Sequence, residues 1–122
     1  MRPIVHIEIP AQDREVAARF YGDLFGWTAT HSSEPMPYTS MTTGIPQQGV
    51  GLPEIGEMCQ PNDVIVYIGS DDITADLTRI EAAGGKRAGE PFKVGDFGEM
   101  VLFTDPSGNK LALWKDFMQQ AD

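Results

Sequence analysis

The sequence predicts an α+β fold made of two βαβββ modules that share one curled, cup-shaped mixed sheet with the helices outside. Three observations carry this. Residues 4–27, IVHIEIPAQDREVAARFYGDLFGW, hold a strand, a turn, a helix and a stop signal. A shift of 59 positions, which carries Asp13 onto Asp72, also brings Val5 onto Val64, Ile9 onto Ile68 and Phe25-Gly26 onto Gly84-Gly85, so residues 64–86 repeat that punctuation. A repeat of this kind fixes the architecture ahead of any single element. Finally, one helix per module cannot cover both faces of a four-stranded sheet. Packing the helices outside and curling the bare faces together makes those faces the wall of a cup.

In chain order, residues 4–9 alternate, with Val5, Ile7 and Ile9 on one side and Ile4, His6 and Glu8 on the other, as a strand requires. Pro10 ends the strand. Asp13 is placed to cap a helix in which Val16, Phe20 and Leu24 recur four apart beside Ala17 and Tyr21, and Gly26 stops it. Phe20, Phe25 and Trp27 read as core. Residues 27–31, 38–43 and 50–52 read as strands, with turns at 34–37 and 44–48. Module one then spans 1–54, a linker 55–62, module two 63–116 and a frayed tail the remainder, 117–122. In module two, residues 64–68 form a strand and Asp71 or Asp72 caps a helix with Ile73, Leu77 and Ile80 inward and Asp76, Arg79 and Glu81 outward. Gly84 and Gly85 end that helix. Residues 86–89 make a weak strand and 98–104 a strong one, and Asp105-Pro106-Ser107-Gly108-Asn109 turns the chain into 110–114.

The totals narrow the function. A chain of 122 residues, 41% apolar and 22% charged, suits one soluble globular domain. No apolar run approaches the roughly 20 residues of a membrane span, and the first residues lack the apolar stretch of a secretion signal, which predicts the cytoplasm. Cys59 stands alone, so no intrachain disulfide or cysteine-based zinc site forms, and no basic neighbour activates its thiol. A net charge of −9 repels phosphate backbones and anionic leaflets, which argues against nucleic-acid and membrane partners.

The opening HIEIPAQDREVAARFYGDLFGW, the helix ending in Gly84-Gly85 and the closing FTDPSGNKLALW together resemble the vicinal oxygen chelate superfamily, which includes glyoxalase I, bleomycin-resistance proteins and extradiol dioxygenases. The resemblance covers nearly the whole chain and implies the paired βαβββ glyoxalase/bleomycin resistance/dioxygenase fold. Its metal-dependent members draw four ligands, usually His or Glu, from the first and last strand of each module. The matching positions here are His6, Gly51, Ile65 and Ala112, with Gln47 and Gln48 near Gly51, so three of the four offer no donor. A rebuilt site would recruit Glu8, His31 or Glu99. Catalytic zinc takes three protein ligands as a rule, so these positions imply no metal cofactor, with a divalent metal as the alternative.

Alternation predicts the cup wall: Ile4, His6 and Glu8 from the first strand, Ile65 and Tyr67 from the fifth, Ala112 and Trp114 from the last. An apolar, aromatic lining with one imidazole, one carboxylate and one phenol suits a small organic guest. His6 would then donate or accept a hydrogen bond, or act as a general base oriented by Glu8. Tyr67 and Trp114 either stack on that guest or fill the cup themselves, and Met36 and Met41 sit near the predicted rim. Two functions follow. The first is a metal-independent small-molecule binding protein of the bleomycin-resistance kind, acting by sequestration, with the −9 charge favouring a basic, partly aromatic guest. The second is a glyoxalase- or dioxygenase-related enzyme acting on a small oxygenated substrate, through a non-standard metal site or through His6 and Glu8. A homodimer is expected, because the family often pairs chains and a small curled sheet leaves strand edges to cover.

Overall fold

The computed structural model describes residues 2–33, 37–45, 49–57 and 59–117. Most of the expected turns at 34–37 and 44–48, including Met36, Gln47 and Gln48, lies outside the described residues, as does most of the expected tail, 118–122. The chain forms two compact units, one comprising His6–Ile65 and the other Met1–Val5 with Val66–Asp122.

In the first unit the order is β1 (Ile4–Glu8) from His6 onward, α1 (Arg14–Phe25), β2 (Thr28–Ser32), β3 (Tyr38–Thr42) and β4 (Gly49–Gly51). The strands lie in the order β2-β3-β4-β1, with β4 and β1 parallel and the other neighbours antiparallel. Asp13 caps α1 as predicted, its carboxylate accepting from the backbone N–H groups of Glu15 and Val16 at 3.0 and 3.2 Å. Gly26 closes the helix at φ 77°, a left-handed conformation that glycine adopts freely.

The buried face of α1 differs from the predicted one. Val16, Phe20 and Leu24 are 53%, 55% and 61% exposed, and Phe25 is exposed as well. Ala17, Ala18 and Tyr21 face the sheet instead, against Ala11, Met41, Val50 and Leu52. Alanines let a helix approach a sheet closely, and Met41 and Leu52 supply the volume that fills the gap. Met41 therefore lies in this core, not at a rim. Trp27 is half-buried and stacks on Tyr21 with ring centroids 5.1 Å apart. The start of the expected linker is tied to the first unit: Ala11 bridges to Glu54, and the Ile55 N–H donates to the Ala11 carbonyl at 2.9 Å.

The second unit holds β5 (Ile65–Gly69) from Val66 onward, α2 (Ile73–Ala82), β6 (Lys86–Arg87), β7 (Phe92–Val94), β8 (Gly98–Thr104) and β9 (Lys110–Asp116). The strand order is β5-β9-β8-β6, and β7 also pairs with β8. β6 meets the far end of β8 and β7 its beginning, so the two are pieces of one edge strand broken around Gly89 and Pro91. Both units therefore read βαβββ. β7, a three-residue strand between Pro91 and Gly95, was not anticipated from the sequence.

Asp72 caps α2 by accepting from the Ala75 N–H at 3.0 Å. Ile73 and Leu77 pack on Val101, Phe103 and Leu113, with Ile80 beside them. Asp76 points inward, contrary to expectation, and is only 6% exposed. Its carboxylate accepts from both terminal nitrogens of Arg2, at 2.5 and 3.2 Å, and from the Ser70 hydroxyl at 2.7 Å. A buried carboxylate is tolerated only with such partners. The Arg2 hydrogen bond holds the Asp76 carboxyl below its usual range against the opposing effect of burial. Asp105 organises the predicted turn, accepting from the Ser107 and Asn109 N–H groups at 2.9 Å each. Among the described residues, no helix is long and apolar enough to cross a membrane.

Candidate functional site

β1 runs parallel to β4 with His6 opposite Gly49, Ile7 opposite Val50 and Glu8 opposite Gly51. Val50 belongs to the core under α1, so alternation turns His6, Glu8 and the two glycines to the face away from that helix. Met41 pairs with Val50 and Ser40 with Gly51, which puts Ser40 and, two residues earlier, Tyr38 on the same helix-free face.

Three side chains converge there. The Tyr38 hydroxyl donates to Glu8 Oε2 at 2.5 Å and lies 2.9 Å from His6 Nε2. Because the hydroxyl hydrogen goes to Glu8, the Tyr38 oxygen accepts from His6, which puts the imidazole proton on Nε2. His6 Nε2 and Glu8 Oε2 are themselves 3.5 Å apart, so the phenol oxygen bridges two groups too distant for a good direct hydrogen bond. The side chains of His6 and Glu8 are 25% and 20% exposed, which leaves the cluster open to solvent on one side.

The glycines make this arrangement possible. A Cβ built on Gly51 would stand 1.5 Å from the Tyr38 oxygen and 2.9 Å from His6 Nε2, and one on Gly49 would stand 3.2 Å from His6 Nδ1. Tyr38 thus fills the space that any side chain at position 51 would need. Tyr38 was not among the residues singled out in the sequence. A glycine at 51 beside a polar first strand, with an aromatic residue opening the neighbouring strand, was the signal available.

His31 does not join this cluster. Its Nδ1 lies 2.7 Å from the hydroxyl of Thr39, a buried residue that also accepts from Arg14 at 3.1 Å, while Arg14 Nε donates to Glu54 at 2.9 Å. These groups sit beside α1. His31, Arg14 and Ser32 also border an open surface groove of about 470 Å³. Cys59 Sγ lies 3.0 Å from the Glu54 carbonyl, and burial pushes its thiol pKa up, with the Glu8 and Asp63 charges adding to the effect. That is the opposite of an activated nucleophile.

In the second unit, Tyr67 pairs with Ala112 and Gly69 with Trp114 across β5 and β9, on the face away from α2. Tyr67 and Ala112 are buried, and the Tyr67 hydroxyl lies 3.8 Å from the Met100 sulfur. Trp114 lies across Gly98, where a Cβ would come within 2.4 Å of the indole. Ile65, the last residue of the first unit, is buried, and Ile4 is exposed. Glu99 stands on β8 opposite Lys115. The 59-residue shift carries Glu8 onto Tyr67, and each has a β-bridge partner on its unit's last strand: Gly51 for Glu8, Ala112 for Tyr67.

Of the four positions that match the family's ligands, His6 alone carries a ligand-type side chain. His6 Nε2 and Glu8 Oε2 both engage one phenol, and Gly51, Ile65 and Ala112 carry no donor side chain. Among the described residues, no three His, Cys, Asp or Glu side chains are grouped to hold an ion. What the first unit offers is a hydroxyl held between an imidazole N–H and a carboxylate, an arrangement suited to hydrogen bonding or to passing a proton.

The family described as Glyoxalase/Bleomycin resistance protein/Dioxygenase superfamily has a model that matches residues 3–113. The anthracycline biosynthesis protein DnrV of Streptomyces peucetius is 31% identical over 123 residues, covering 88% of this chain and 45% of that protein. This chain thus spans about half of that relative's length. A glyoxylase-like domain-containing protein of Didymella fabae is 30% identical over 115 residues, covering 88% of each. Among solved structures, methylmalonyl-CoA epimerase from Mycobacterium tuberculosis superposes with a TM-score of 0.72 at 14% identity, covering 93% of this chain and 87% of that one, a likeness of fold.

Proposed function

Because the chain belongs to the Glyoxalase/Bleomycin resistance protein/Dioxygenase superfamily, we propose that it is a metal-independent small-molecule binding protein that sequesters its guest on the helix-free face around His6 and Glu8. One observation carries this reading. The Tyr38 hydroxyl, 2.9 Å from His6 Nε2 and 2.5 Å from Glu8 Oε2, engages both side chains, donating to the carboxylate and accepting from the imidazole, and occupies the space above Gly51. A metal at His6 would have to remove the Nε2 proton, displace the phenol and still find a third ligand.

The guest in this reading is a basic, partly aromatic compound. The −9 charge favours a cation, and the link of one set of relatives to anthracycline biosynthesis favours an aromatic, oxygen-bearing molecule. Ile65, Tyr67, Ala112 and Trp114 belong to the same proposal as further binding residues, and the cytoplasm is the proposed compartment. A homodimer is also part of the reading. The exposed row Val16, Phe20 and Leu24 on α1 and the edge strand β2 are surfaces that a second copy would cover, and sedimentation of the purified chain distinguishes one copy from two.

The test is elemental analysis of the purified protein with metal-supplemented thermal shifts and an unbiased ligand screen. The reading expects no stoichiometric divalent ion, and a guest whose affinity falls by no more than about 2 kcal/mol in His6→Ala, the loss of a single hydrogen bond. An ion at unit occupancy on His6 would overturn it. A second reading is an enzyme acting on a small oxygenated substrate with His6 and Glu8 as an acid–base pair. The unbroken His6–Tyr38–Glu8 chain favours it, since such a chain can hold and pass a proton. Turnover of a screened guest, abolished in Glu8→Gln, would establish it.

A further inference from the structure

We infer that the space above Gly49 and Gly51 is a binding site for a hydroxyaromatic group, a phenol or ring enol, and that Tyr38 fills it from within the chain as a displaceable internal ligand. The inference rests on the small-molecule reading above and adds the chemical class of the guest.

Three features point to it. First, the polar partners are matched to one hydroxyl. A donor, His6 Nε2–H, and an acceptor, Glu8 Oε2, stand 3.5 Å apart, and the oxygen between them lies 2.9 and 2.5 Å away. An O–H group accepts from one and donates to the other at once. A carbonyl cannot donate to the carboxylate, and an ammonium cannot accept from the imidazole. Second, the floor is bare. With no side chain at 49 or 51, the β4 backbone meets the ring edge directly: the Gly51 Cβ position is 2.4 Å from Tyr38 Cζ, inside the ring's own contact distance. A flat ring fits against that strip, and any larger residue at 51 abolishes the fit. Third, the occupant is tethered at an end. Tyr38 is the first residue of β3, paired through its backbone with Ser32 at the last position of β2. A side chain at a strand end swings away at less cost than one in the middle of a ladder.

A guest hydroxyl that takes the place of the Tyr38 oxygen therefore recovers both hydrogen bonds, while the displaced tyrosine regains water. Affinity then depends on the difference between the guest's ring and the chain's own, which makes Tyr38 the residue that sets the threshold for binding.

The test compares p-cresol, the Tyr38 side chain as a free molecule, with toluene, its analogue without the hydroxyl. In Tyr38→Ala, p-cresol should bind at least about tenfold more tightly than toluene, and about tenfold more tightly than it binds the wild type, the loss of one hydrogen-bond's worth of affinity and the removal of the competitor, respectively. The His6 and Gly51 NMR signals should report it. Tyr38→Ser provides a second variant should the alanine chain fail to fold. Equal affinity for p-cresol and toluene in a folded variant, or equal affinity of variant and wild type for p-cresol, overturns the inference. Other small molecules binding without moving the His6 and Gly51 signals overturns it too, yet leaves the small-molecule reading standing. A stoichiometric divalent ion on His6 overturns that reading itself.

Discussion

The helix-free faces of the two units start from the same plan and end in different chemistry. Glu8 beside Gly51 in one and Tyr67 beside Ala112 in the other occupy positions related by the repeat, each bridged to its partner on the unit's last strand. Each face also lays an aromatic side chain over a glycine, Tyr38 over Gly51 and Trp114 over Gly98. In the first unit, the aromatic group ends in a hydroxyl shared by an imidazole and a carboxylate. In the second, an indole covers the backbone, and the nearby phenol of Tyr67 has a sulfur at 3.8 Å. The two units thus reach a similar stacking of ring on glycine with the strands exchanged, Tyr38 on β3 over β4 and Trp114 on β9 over β8, and the His6–Tyr38–Glu8 cluster makes the first unit's face the place to seek chemistry.

The glycines should separate the two faces most sharply. A Cβ at Gly98 would meet the Lys115 carbonyl at 2.5 Å as well as the indole, and backbone cannot step aside, so Gly98→Ala should cost about 3 kcal/mol in urea unfolding. The nearest atoms a Cβ at Gly51 would meet are the far ends of Tyr38 and His6, so Gly51→Ala should cost about 1–2 kcal/mol, much of it recovered in a Gly51→Ala/Tyr38→Ala double variant. If the double variant recovers nothing, the conflict at 51 lies elsewhere than the phenol.

Asp76 gives the next largest effect, and it belongs to the second unit. Asp76→Ala should cost about 2 kcal/mol, because it strands Ser70 and releases Arg2. The sign with pH follows from the depressed carboxyl: the folded chain holds the ionised form more tightly than the unfolded chain, whose value is near 3.8. The contribution is therefore complete at neutral pH and is lost as pH falls through the acid range below that value. In Asp76→Asn, the acid limb of the stability curve should flatten, and an unchanged limb would remove Asp76 from the account.

The smallest effects compare the two phenols. Tyr38→Phe removes a hydroxyl held by a carboxylate and an imidazole and should cost about 1–2 kcal/mol, and Tyr67→Phe, whose hydroxyl lies 3.8 Å from the Met100 sulfur, should cost less. Equal costs would erase the proposed difference between the faces.

Much of the fold could be read in the chain because the signals are local. Asp13 and Asp72 cap helices through their own neighbours, Gly26 needs only its own φ, and Asp105 closes its turn within four residues. What escaped depends on distant partners. Asp76 looked like an outward helix residue because its arginine lies 74 positions away, and Tyr38 reaches Glu8 across 30. On α1, the large apolar residues spaced four apart suggested the buried stripe, yet Ala17 and Ala18 won that side because the sheet beneath already carried the bulk in Met41 and Leu52. The first-strand residues His6 and Glu8 were legible as a polar pair on one face. That a phenol would bridge them was not, since nothing in β1 specifies what β3 sends across β4.

The most direct measurement is a long-range proton–nitrogen NMR correlation of His6, taken with elemental analysis of the same sample before and after addition of zinc, nickel and manganese. The account predicts a proton on Nε2, coupled through its shift to the Tyr38 hydroxyl and unmoved by any of the three ions, with no stoichiometric metal in the protein as purified. A His6 Nε2 that has lost its proton to a bound divalent ion, with the Tyr38 ring turned out, would contradict it.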